Sequence, residues 1–386
     1  MYKPAIYLDH AATTPLDARV IEAMRPYFGE IFGNPSSIHA FGQQADAALE
    51  DARRRMAEIL HCQPDEIVFT SGGSESDNLA LRGTAFAMRQ QKSRTHILIS
   101  PIEHHAILRT AQQLRDHFGF ELEFIPTDRF GIIDPQNVAT RIKPSTAIVS
   151  VIYANNEIGT INPIKEIAEV CKLAGVPFHT DAVQAGAHLP IDLREINVDL
   201  LSLGAHKFYG PKGTGVLYVR KGTPLVPIQT GGSQEFGLRA GTHNIPYIIG
   251  MSQAFYYAQT ESDQRKQYLL AMRDHLIGNI LEEVPGAHLT GHPRDRLPNH
   301  ASFVFEGIDG NQLTMMLDVE GFACSSGSAC KTGSPEPSEV LIALGFSPEL
   351  ALGSLRVTLG ASNTRQEIDL FLDCLIGILK RARKSA

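Results

Sequence analysis

Short apolar segments alternate with amphipathic segments through the first 220 or so residues of the chain. The apolar segments have the composition of strands and cover residues 66–70, 96–100, 147–153, 177–181, 199–202 and 215–219. Helical periodicity separates them over residues 43–60, 75–91, 104–117 and 164–174. Apolar strands that alternate with helices are typical of a parallel sheet covered on both faces. The sequence therefore predicts an α/β domain with a mostly parallel sheet, whose ligands bind beyond the carboxyl ends of the strands.

The pattern changes after about residue 261. One helix face then carries apolar residues at helical spacing: Leu269, Met272, Leu276 and Ile280. Near the end of the chain, Thr364 and Glu367 form a capping box for a last amphipathic helix. The sequence predicts a large domain over residues 15–261 and a smaller α+β domain over residues 262–386, with residues 1–14 associated with the smaller one.

Composition limits the classes of protein to which the chain can belong. Its 386 residues are 43% hydrophobic, enough for a large core and two domains. The net charge of −7 is spread along the chain, and the one basic run, 380–384, is terminal, so nucleic-acid binding is not indicated. We find no apolar stretch long enough for a membrane and no signal peptide. Five scattered cysteines argue against a disulfide framework and favour the reducing cytoplasm.

A lysine follows one of the predicted strands. Residues 202–213 continue from the end of that strand and place Lys207 near its carboxyl end. A lysine at such a position, taken by itself, usually extends into solvent. Asp181 ends an earlier strand, and a carboxylate there can keep a pyridinium nitrogen protonated, as pyridoxal phosphate requires. Residues 70–77 pass from strand to helix through two glycines, which provides free backbone N–H groups for a phosphate. No part is specific alone, but together they predict a pyridoxal-phosphate site.

His104 lies where a helix begins, near the same edge of the predicted sheet. A single histidine is most often an ordinary surface or core residue. Adjacent histidines also suggest a metal, but His104 and His105 point to different sides of a helix, so one site cannot easily use both, and we predict no metal. At the mouth of a cofactor crevice, His104 is suited to stack on a ring or to move protons.

Residues 321–334 surround Cys330 with small, flexible and hydroxylated side chains. Such a segment cannot bury an apolar face, and we expect a mobile exposed loop. Composition alone favours an incidental thiol, because a reactive cysteine also needs a favoured thiolate. Cys324 follows residues with strand character, and we interpret it as a packed thiol.

Further motifs are distributed over nearly the whole chain, at residues 7–15, 33–39, 70–75, 103–104, 155–159, 181–184, 206–207, 241–242, 325–330 and 356. In this order they resemble the motifs of class V pyridoxal-phosphate enzymes, specifically cysteine desulfurases of the kind that serves iron–sulfur cluster assembly. The resemblance implies fold type I, with a large domain built on a mostly parallel sheet and a smaller α+β domain.

The resemblance implies a role for each matching position. Catalysis would involve Lys207 as the lysine that bonds to the cofactor, Cys330 as the nucleophile, and His104 as the ring-stacking residue and proton mediator. The cofactor would also contact Gly73, Ser74, Asn155, Asp181, Gln184, His206 and Thr242, with Thr242 reaching from the partner subunit of a homodimer. The substrate would contact Asn155, Arg356 and Asn34, with Arg356 gripping its carboxylate through two parallel hydrogen bonds.

The implied reaction removes sulfur from L-cysteine. L-Alanine would be released, and Cys330 would carry the sulfur as a persulfide to an acceptor such as an iron–sulfur scaffold, which would contact the loop around Cys330. A selenocysteine lyase and another class V transaminase or lyase are the alternatives within the family. A catalytically silent binding protein would have no use for Lys207, Asp181 and Cys330 together.

Two positions depart from the family pattern. Gly204 stands where a phosphate-binding serine is common, so one hydroxyl is missing from the expected phosphate site. Phe236 replaces a frequent arginine, which changes the contacts expected of its loop, whereas Arg239 is retained.

Overall fold

The computed structural model describes residues 6–327, 329–331 and 334–384, with side chains except at 329–331, 334–335 and 383–384. The strands are β1 Ile6–Tyr7, β2 Ile67–Thr70, β3 His96–Ile99, β4 Glu121–Phe124, β5 Thr146–Ser150, β6 Phe178–Asp181, β7 Leu200–Gly204, β8 Gly215–Val219, β9 Ala287–Leu289, β10 His300–Phe305, β11 Phe322–Ala323, β12 Ala329–Lys331, β13 Ser334–Glu336 and β14 Ser354–Thr358. The α-helices are α1 Ala18–Met24, α2 Ala40–Leu60, α3 Gly73–Lys92, α4 His105–Phe118, α5 Pro135–Arg141, α6 Ile164–Ala174, α7 Ala185–His188, α8 Leu193–Ile196, α9 Ile245–Thr260, α10 Ser262–Glu283, α11 Gly310–Val319, α12 Glu339–Ala343, α13 Pro348–Leu352 and α14 Arg365–Lys384. Short 3-10 turns lie at Arg25–Phe28, Pro64–Glu66, Ala205–Lys207 and Glu235–Gly237.

The main sheet has seven strands in the order β2-β8-β7-β6-β5-β3-β4. Strands β7, β6, β5, β3 and β4 pair in parallel, whereas β8 runs antiparallel to both of its neighbours. The predicted α/β fold with a mostly parallel sheet is therefore confirmed. Strand β4 was not predicted, because this edge strand is only half-buried and lacks the apolar run that marks the inner strands.

Helices cover both faces of this sheet because its inner strands are buried at every position. On one face the core includes Met56 of α2 and Phe255 of α9. On the other face it includes Leu79 of α3 and Ile107 of α4. The carboxyl ends of the parallel strands are left open, so the loops that follow β6 and β7 can line a cavity there.

A second core lies around the antiparallel sheet β14-β10-β9. It combines Leu276 of α10, Phe303 of β10 and Phe371 of α14 with Leu8, because β1 pairs in parallel with β11. Helix α14 begins with the predicted capping box, in which the Thr364 amide donates to Glu367 Oε2 (2.8 Å) and the Glu367 amide donates to Thr364 Oγ1 (3.3 Å). The exact division at residues 15 and 262 stays a prediction.

The backbone around Cys330 differs from the expected irregular loop. Strand β12, which contains Cys330, pairs antiparallel with β13, so the pairing satisfies backbone groups that a loop would leave to solvent. The side chain of Cys330 lies outside the described residues. None of the described helices combines the length and apolar character that crossing a membrane requires.

Candidate active site

A cavity of about 530 Å³ lies at the carboxyl ends of the parallel strands. It is lined by Ala12, Thr13, Ser71, Gly72, Gly73, Ser74, Glu75, Asp77, His104, Ile152, Asn156, Asp181, Val183, Gln184, His206, Lys207, Lys212, Gly213 and Thr214. Seven residues predicted from the sequence thus share one cavity: Gly73, Ser74, His104, Asp181, Gln184, His206 and Lys207.

Lys207 extends into this cavity from the short turn that follows β7. Its Nζ donates hydrogen bonds to the carbonyl oxygens of Ala11 and Ala12, both at 2.7 Å. Burial lowers the pKa of Lys207 to about 8, with a further decrease from Arg356, and Asp181 and Asp9 oppose the change. About a tenth of the amine is therefore uncharged at pH 7, far more than for an ordinary lysine, which favours its action as a nucleophile.

Asp181 ends β6 and is 4% exposed. Its Oδ1 accepts a hydrogen bond from the Val183 amide (2.9 Å). Burial raises its pKa, whereas His104 and Lys207 favour the charged form. A second buried carboxyl group, Asp77, also lines the cavity, and burial together with the charge of Asp181 holds its pKa well above the usual range. His104 and Lys207 favour the charged form of Asp181, so Asp181 is the member of this pair better suited to carry the negative charge.

The amino end of α3 opens onto the same cavity. Its N-cap residue is Gly72, which has φ of 153° and no side chain to cap the helix. The first N–H groups of a helix have no partner within it, so those of Gly73 and Ser74 are available to an anion. Glu75 does not cap this turn, because it accepts from the Ser71 amide (2.7 Å) and pairs with Arg239 (2.8 Å).

His104 is the exposed N-cap residue of α4. Its Nδ1 accepts a hydrogen bond from the Ala106 amide (3.1 Å), which leaves Nε2 to carry the proton. The pKa of His104 is lowered, chiefly because the surrounding protein atoms partly desolvate the ring, and this favours its neutral form. A neutral ring that carries a proton on Nε2 can stack on a cofactor and donate or relay that proton.

The segment before α1 joins the remaining groups. Gln184 Nε2 donates to the Ala11 carbonyl (2.8 Å), which also accepts from Lys207. His206 Nδ1 lies 3.2 Å from Thr13 Oγ1. Burial lowers the pKa of His206 to about 4, with smaller contributions from the neighbouring lysines, so this ring is neutral too.

The structure gives the present hydrogen bonds of Asn155, a residue predicted to contact the cofactor and the substrate. Asn155 is fully buried, its Nδ2 donates to the Ile102 carbonyl (2.8 Å), and its Oδ1 accepts from the amides of Glu157 and Ile158. These contacts use the side chain to stabilise the turn, and Asn155 does not line the cavity. The adjacent Asn156 lines it instead. The contact of Asn155 with cofactor and substrate stays a prediction, and Asn156 is a neighbouring residue of the cavity wall.

Arg356 lies on β14 and is 9% exposed. Its Nη1 donates to the Asn156 carbonyl (3.0 Å) and its Nη2 pairs with Asp9 (2.9 Å). Asp9 also accepts from Ser325 Oγ (2.7 Å). Two of five guanidinium N–H groups are thus engaged, and Arg356 approaches the cavity wall through Asn156 without lining it.

Two other predicted residues lie apart from the cavity in the single chain. Asn34 is exposed, and its Oδ1 accepts from the Ser36 amide (3.0 Å). Thr242 is exposed in the loop before α9. Its expected contact is with a partner subunit and stays a prediction.

The loop that carries Thr242 is held by a buried ion pair. Glu235 accepts from both Nη atoms of Arg53 (2.7 and 2.8 Å), from the Phe69 amide (2.7 Å) and from His243 Nε2 (2.7 Å). Phe236, the departure noted above, has φ of 57° and is 55% exposed, with the Arg53 guanidinium 5.0 Å from its ring. A glutamate held by three partners fixes this loop even though Phe236 cannot form an ion pair.

Cys324 has the surroundings of a structural thiol. It is half-buried against the second core, and burial raises its pKa to about 12. The thiolate of Cys324 is therefore scarce at neutral pH, unlike that of a nucleophilic cysteine.

Two clusters of the described residues have metal-ligand types within 4.8 Å of one another. Asp77, His104 and Asp181 form one cluster, inside the cavity already described. His96, Glu121 and Glu123 form the other, at the opposite ends of the strands, where the Lys143 ammonium already bonds both glutamates (2.6 and 2.7 Å).

The cavity fits pyridoxal phosphate on its own geometry. It provides an amine of lowered pKa, a buried carboxylate for a ring nitrogen, and an uncapped helix terminus for a phosphate. Fold and cavity together define the class of protein: an α/β enzyme that uses pyridoxal phosphate. The Aminotransferase class-V family model matches residues 6–371, and the chain belongs to this family.

Individual relatives are similar over nearly the full length. The chain is 45% identical to "Cysteine desulfurase IscS" of Dictyoglomus turgidum over 99% of this chain and 96% of that protein. It is 46% identical to "Cysteine desulfurase IscS" of Methanosarcina thermophila over 98% and 93% of the two chains. Among solved structures, a "NIFS-LIKE PROTEIN" superposes with a TM-score of 0.90 at 35% identity, covering 97% of this chain and 99% of that one. The structure titled "SspA in complex with cysteine" has a TM-score of 0.80 at 36% identity and covers 92% and 98%.

Proposed function

We propose that this chain is a cysteine desulfurase, which takes sulfur from L-cysteine and leaves L-alanine. The observation that carries the proposal is the meeting of Lys207, Asp181 and His104 in one cavity, in the arrangement that pyridoxal-phosphate chemistry needs. The relatives support the choice of activity, since two that share 45% and 46% of their residues with the chain are named cysteine desulfurases.

The predicted site residues would contact three things: the cofactor ring, the cofactor phosphate and the substrate. When bound, pyridoxal phosphate supplies an electron sink that weakens bonds next to the substrate amine. Lys207 would hold it through Nζ and Asp181 would face its ring nitrogen. His104 would stack on the ring. Gln184, which lines the cavity, would lie near the ring hydroxyl.

The phosphate group would be bound by the amides of Gly73 and Ser74 at the start of α3 and by His206. Thr242 would complete this site from the partner subunit of a homodimer. Asn155 would contact the cofactor and the substrate, beside Asn156, which lines the cavity.

The substrate would enter with its carboxylate toward Arg356, with Asn34 nearby. Lys207 Nζ, released from the cofactor by the substrate amine, would move the Cα proton. His104 Nε2 would exchange a proton with the substrate thiol.

The sulfur would pass to Cys330. Its thiolate attacks the substrate sulfur, so the Cβ–S bond breaks and an S–S bond forms. The carbon fragment gains the proton given up by the Cys330 thiol, and the products are L-alanine and a persulfide on Cys330. That sulfur would then go to an acceptor protein, such as a scaffold for iron–sulfur clusters, in the cytoplasm.

The experiment that tests this proposal is turnover of L-cysteine by the purified, cofactor-loaded protein. With dithiothreitol present to reduce the Cys330 persulfide, we expect alanine and sulfide in equal amounts, with the cofactor spectrum restored after each turnover, and no product from Lys207→Ala. Stoichiometric conversion of the cofactor to its amine form, with a keto acid and no released sulfur, would identify an aminotransferase instead.

A further inference from the structure

The expected phosphate site is poor in positive charge. His206 is neutral, because its pKa lies near 4, and the amides of α3 provide only partial charge. Arg239 is already paired with Glu75 (2.8 Å). A phosphate monoester is close to a dianion at neutral pH, so a full cation beside it would add a strong charge-assisted contact.

Gly204 also deprives the expected phosphate site of a side-chain hydrogen-bond donor. A Cβ built at Gly204 would lie 3.4 Å from the Gly73 amide nitrogen and 3.4 Å from a methyl group of Val183. These are ordinary contact distances, so a side chain at this position would fit and would point toward the helix terminus. Glycine leaves that place without a hydrogen-bond donor.

Lys212 is the cation positioned to supply the missing charge. It lies between Lys207 and β8, and β8 pairs with β2 so that Gly215 is opposite Thr70. Residues 212–214 therefore emerge beside the glycine turn that precedes α3, and Lys212 lines the cavity together with Gly73.

The surroundings of Lys212 leave its ammonium group available. Among the described side chains, none forms a hydrogen bond or ion pair with it, and Lys207 is the other ammonium group on the cavity wall. Its charge reaches His206, whose pKa it helps to lower. An exposed lysine without a partner normally faces solvent, but this one faces a site built for an anion.

We propose that Lys212 binds the phosphate group of the cofactor and supplies the full positive charge that the rest of this chain's phosphate site lacks. The inference rests on the proposed cofactor site and concerns recognition of a phosphate monoester on pyridoxal. It does not depend on which amino acid is the substrate.

The test compares the affinity of the cofactor-free protein for pyridoxal phosphate and for pyridoxal, which has the aldehyde and ring but no phosphate. In Lys212→Gln we expect pyridoxal phosphate to bind roughly ten- to a hundredfold more weakly, as for loss of one hydrogen bond to a charged group, and pyridoxal to bind as before. Lys212→Arg should stay near wild type, and inorganic phosphate should compete less well in Lys212→Gln.

A rescue variant and a control sharpen the result. Adding Gly204→Ser to Lys212→Gln should restore part of the affinity for pyridoxal phosphate by placing a hydroxyl at the helix terminus. Lys221→Gln removes an exposed lysine beyond the other end of β8, where it pairs with Asp65 (3.2 Å), and should change neither affinity.

Unchanged selectivity for pyridoxal phosphate in Lys212→Gln, or an equal loss for both ligands, would overturn the role of Lys212. The affinities of the wild-type protein for the two ligands distinguish that outcome from failure of the proposed cofactor site. If wild type bound pyridoxal phosphate no better than pyridoxal, the phosphate site at α3 would be wrong, whatever Lys212 does.

Discussion

Arg356 and Asp9 form an ion pair of 2.9 Å, although 347 residues separate them in the chain. The two charges of this pair have opposite effects on the pKa of Lys207. Arg356 lowers the pKa of the Lys207 amine, and Asp9 raises it. The group proposed to bind the substrate carboxylate is thus also one that sets the proton affinity of the catalytic amine.

The first prediction concerns this electrostatic balance. Arg356→Gln removes a nearby positive charge and should raise the pKa of Lys207 above its value of about 8, whereas Asp9→Asn should lower it. The pH dependence of chemical labelling of Lys207 in the cofactor-free protein measures both changes. The double variant should return toward wild type, and shifts of the same sign in the two single variants would contradict this account.

The two buried aspartates of the cavity should respond differently to the same substitution. Asp181→Asn removes the carboxylate proposed to face the ring nitrogen, so we expect turnover to fall by roughly two orders of magnitude or more. Burial and the charge of Asp181 raise the pKa of Asp77 well above its usual range and favour its neutral form, so Asp77→Asn should cost less than about tenfold. Initial rates of turnover with L-cysteine measure the loss of activity in each variant. A loss in Asp77→Asn as large as that in Asp181→Asn would show that Asp77 is charged.

Glu103 should make stability depend on pH. It is buried, its Oε1 accepts from Ser100 Oγ (2.5 Å) and from the Ile152 amide (2.6 Å), and burial raises its pKa to about 8. The folded state keeps the proton that the unfolded chain releases above about pH 4.3, so this contribution to stability is lost as pH rises toward 8.

Glu103→Gln provides the measurement of that dependence. Relative to wild type, the variant should gain about 1.4 kcal/mol in free energy of unfolding for each pH unit between about pH 5 and about pH 8. Urea unfolding at several pH values gives the difference directly. Parallel pH profiles of the two proteins would show that Glu103 ionises normally.

The ion pair between Arg53 and Glu235 should be costly to break. Their side chains are only 3% and 1% exposed, so Arg53→Met leaves a buried carboxylate without its main partner and should destabilise the protein by about 3–5 kcal/mol. Arg25→Met breaks an exposed pair with Glu22 and should cost less than about 1 kcal/mol. Chemical denaturation compares the two. The double variant Arg53→Met/Glu235→Gln should be more stable than Arg53→Met alone.

Sequence reasoning located the inner strands and the residues at their carboxyl ends, because a buried parallel strand has a continuous apolar run. It did not find β4, whose edge position weakens that signal, and it could not give the direction of β8, because side-chain periodicity is the same for either direction.

Within the site, the sequence was least informative where the choice depends on contacts between distant segments. Asn155 and Asn156 are identical neighbours, and sequence alone does not show that Asn155 bonds the Ile102 carbonyl while Asn156 lines the cavity. The pairing of Arg356 with Asp9 depends on β14 lying beside the N-terminal strand, which no local pattern predicts.

The central claim is that Cys330 receives the substrate sulfur, and mass mapping after one turnover tests it most directly. The cofactor-loaded protein is mixed with one equivalent of L-cysteine, thiols are alkylated, and the extra sulfur is assigned to a residue. We predict a persulfide on Cys330 in wild type and in Cys324→Ala, and no persulfide with little alanine in Cys330→Ala. Full alanine release by Cys330→Ala, or a persulfide on Cys324 in wild type, would contradict the account.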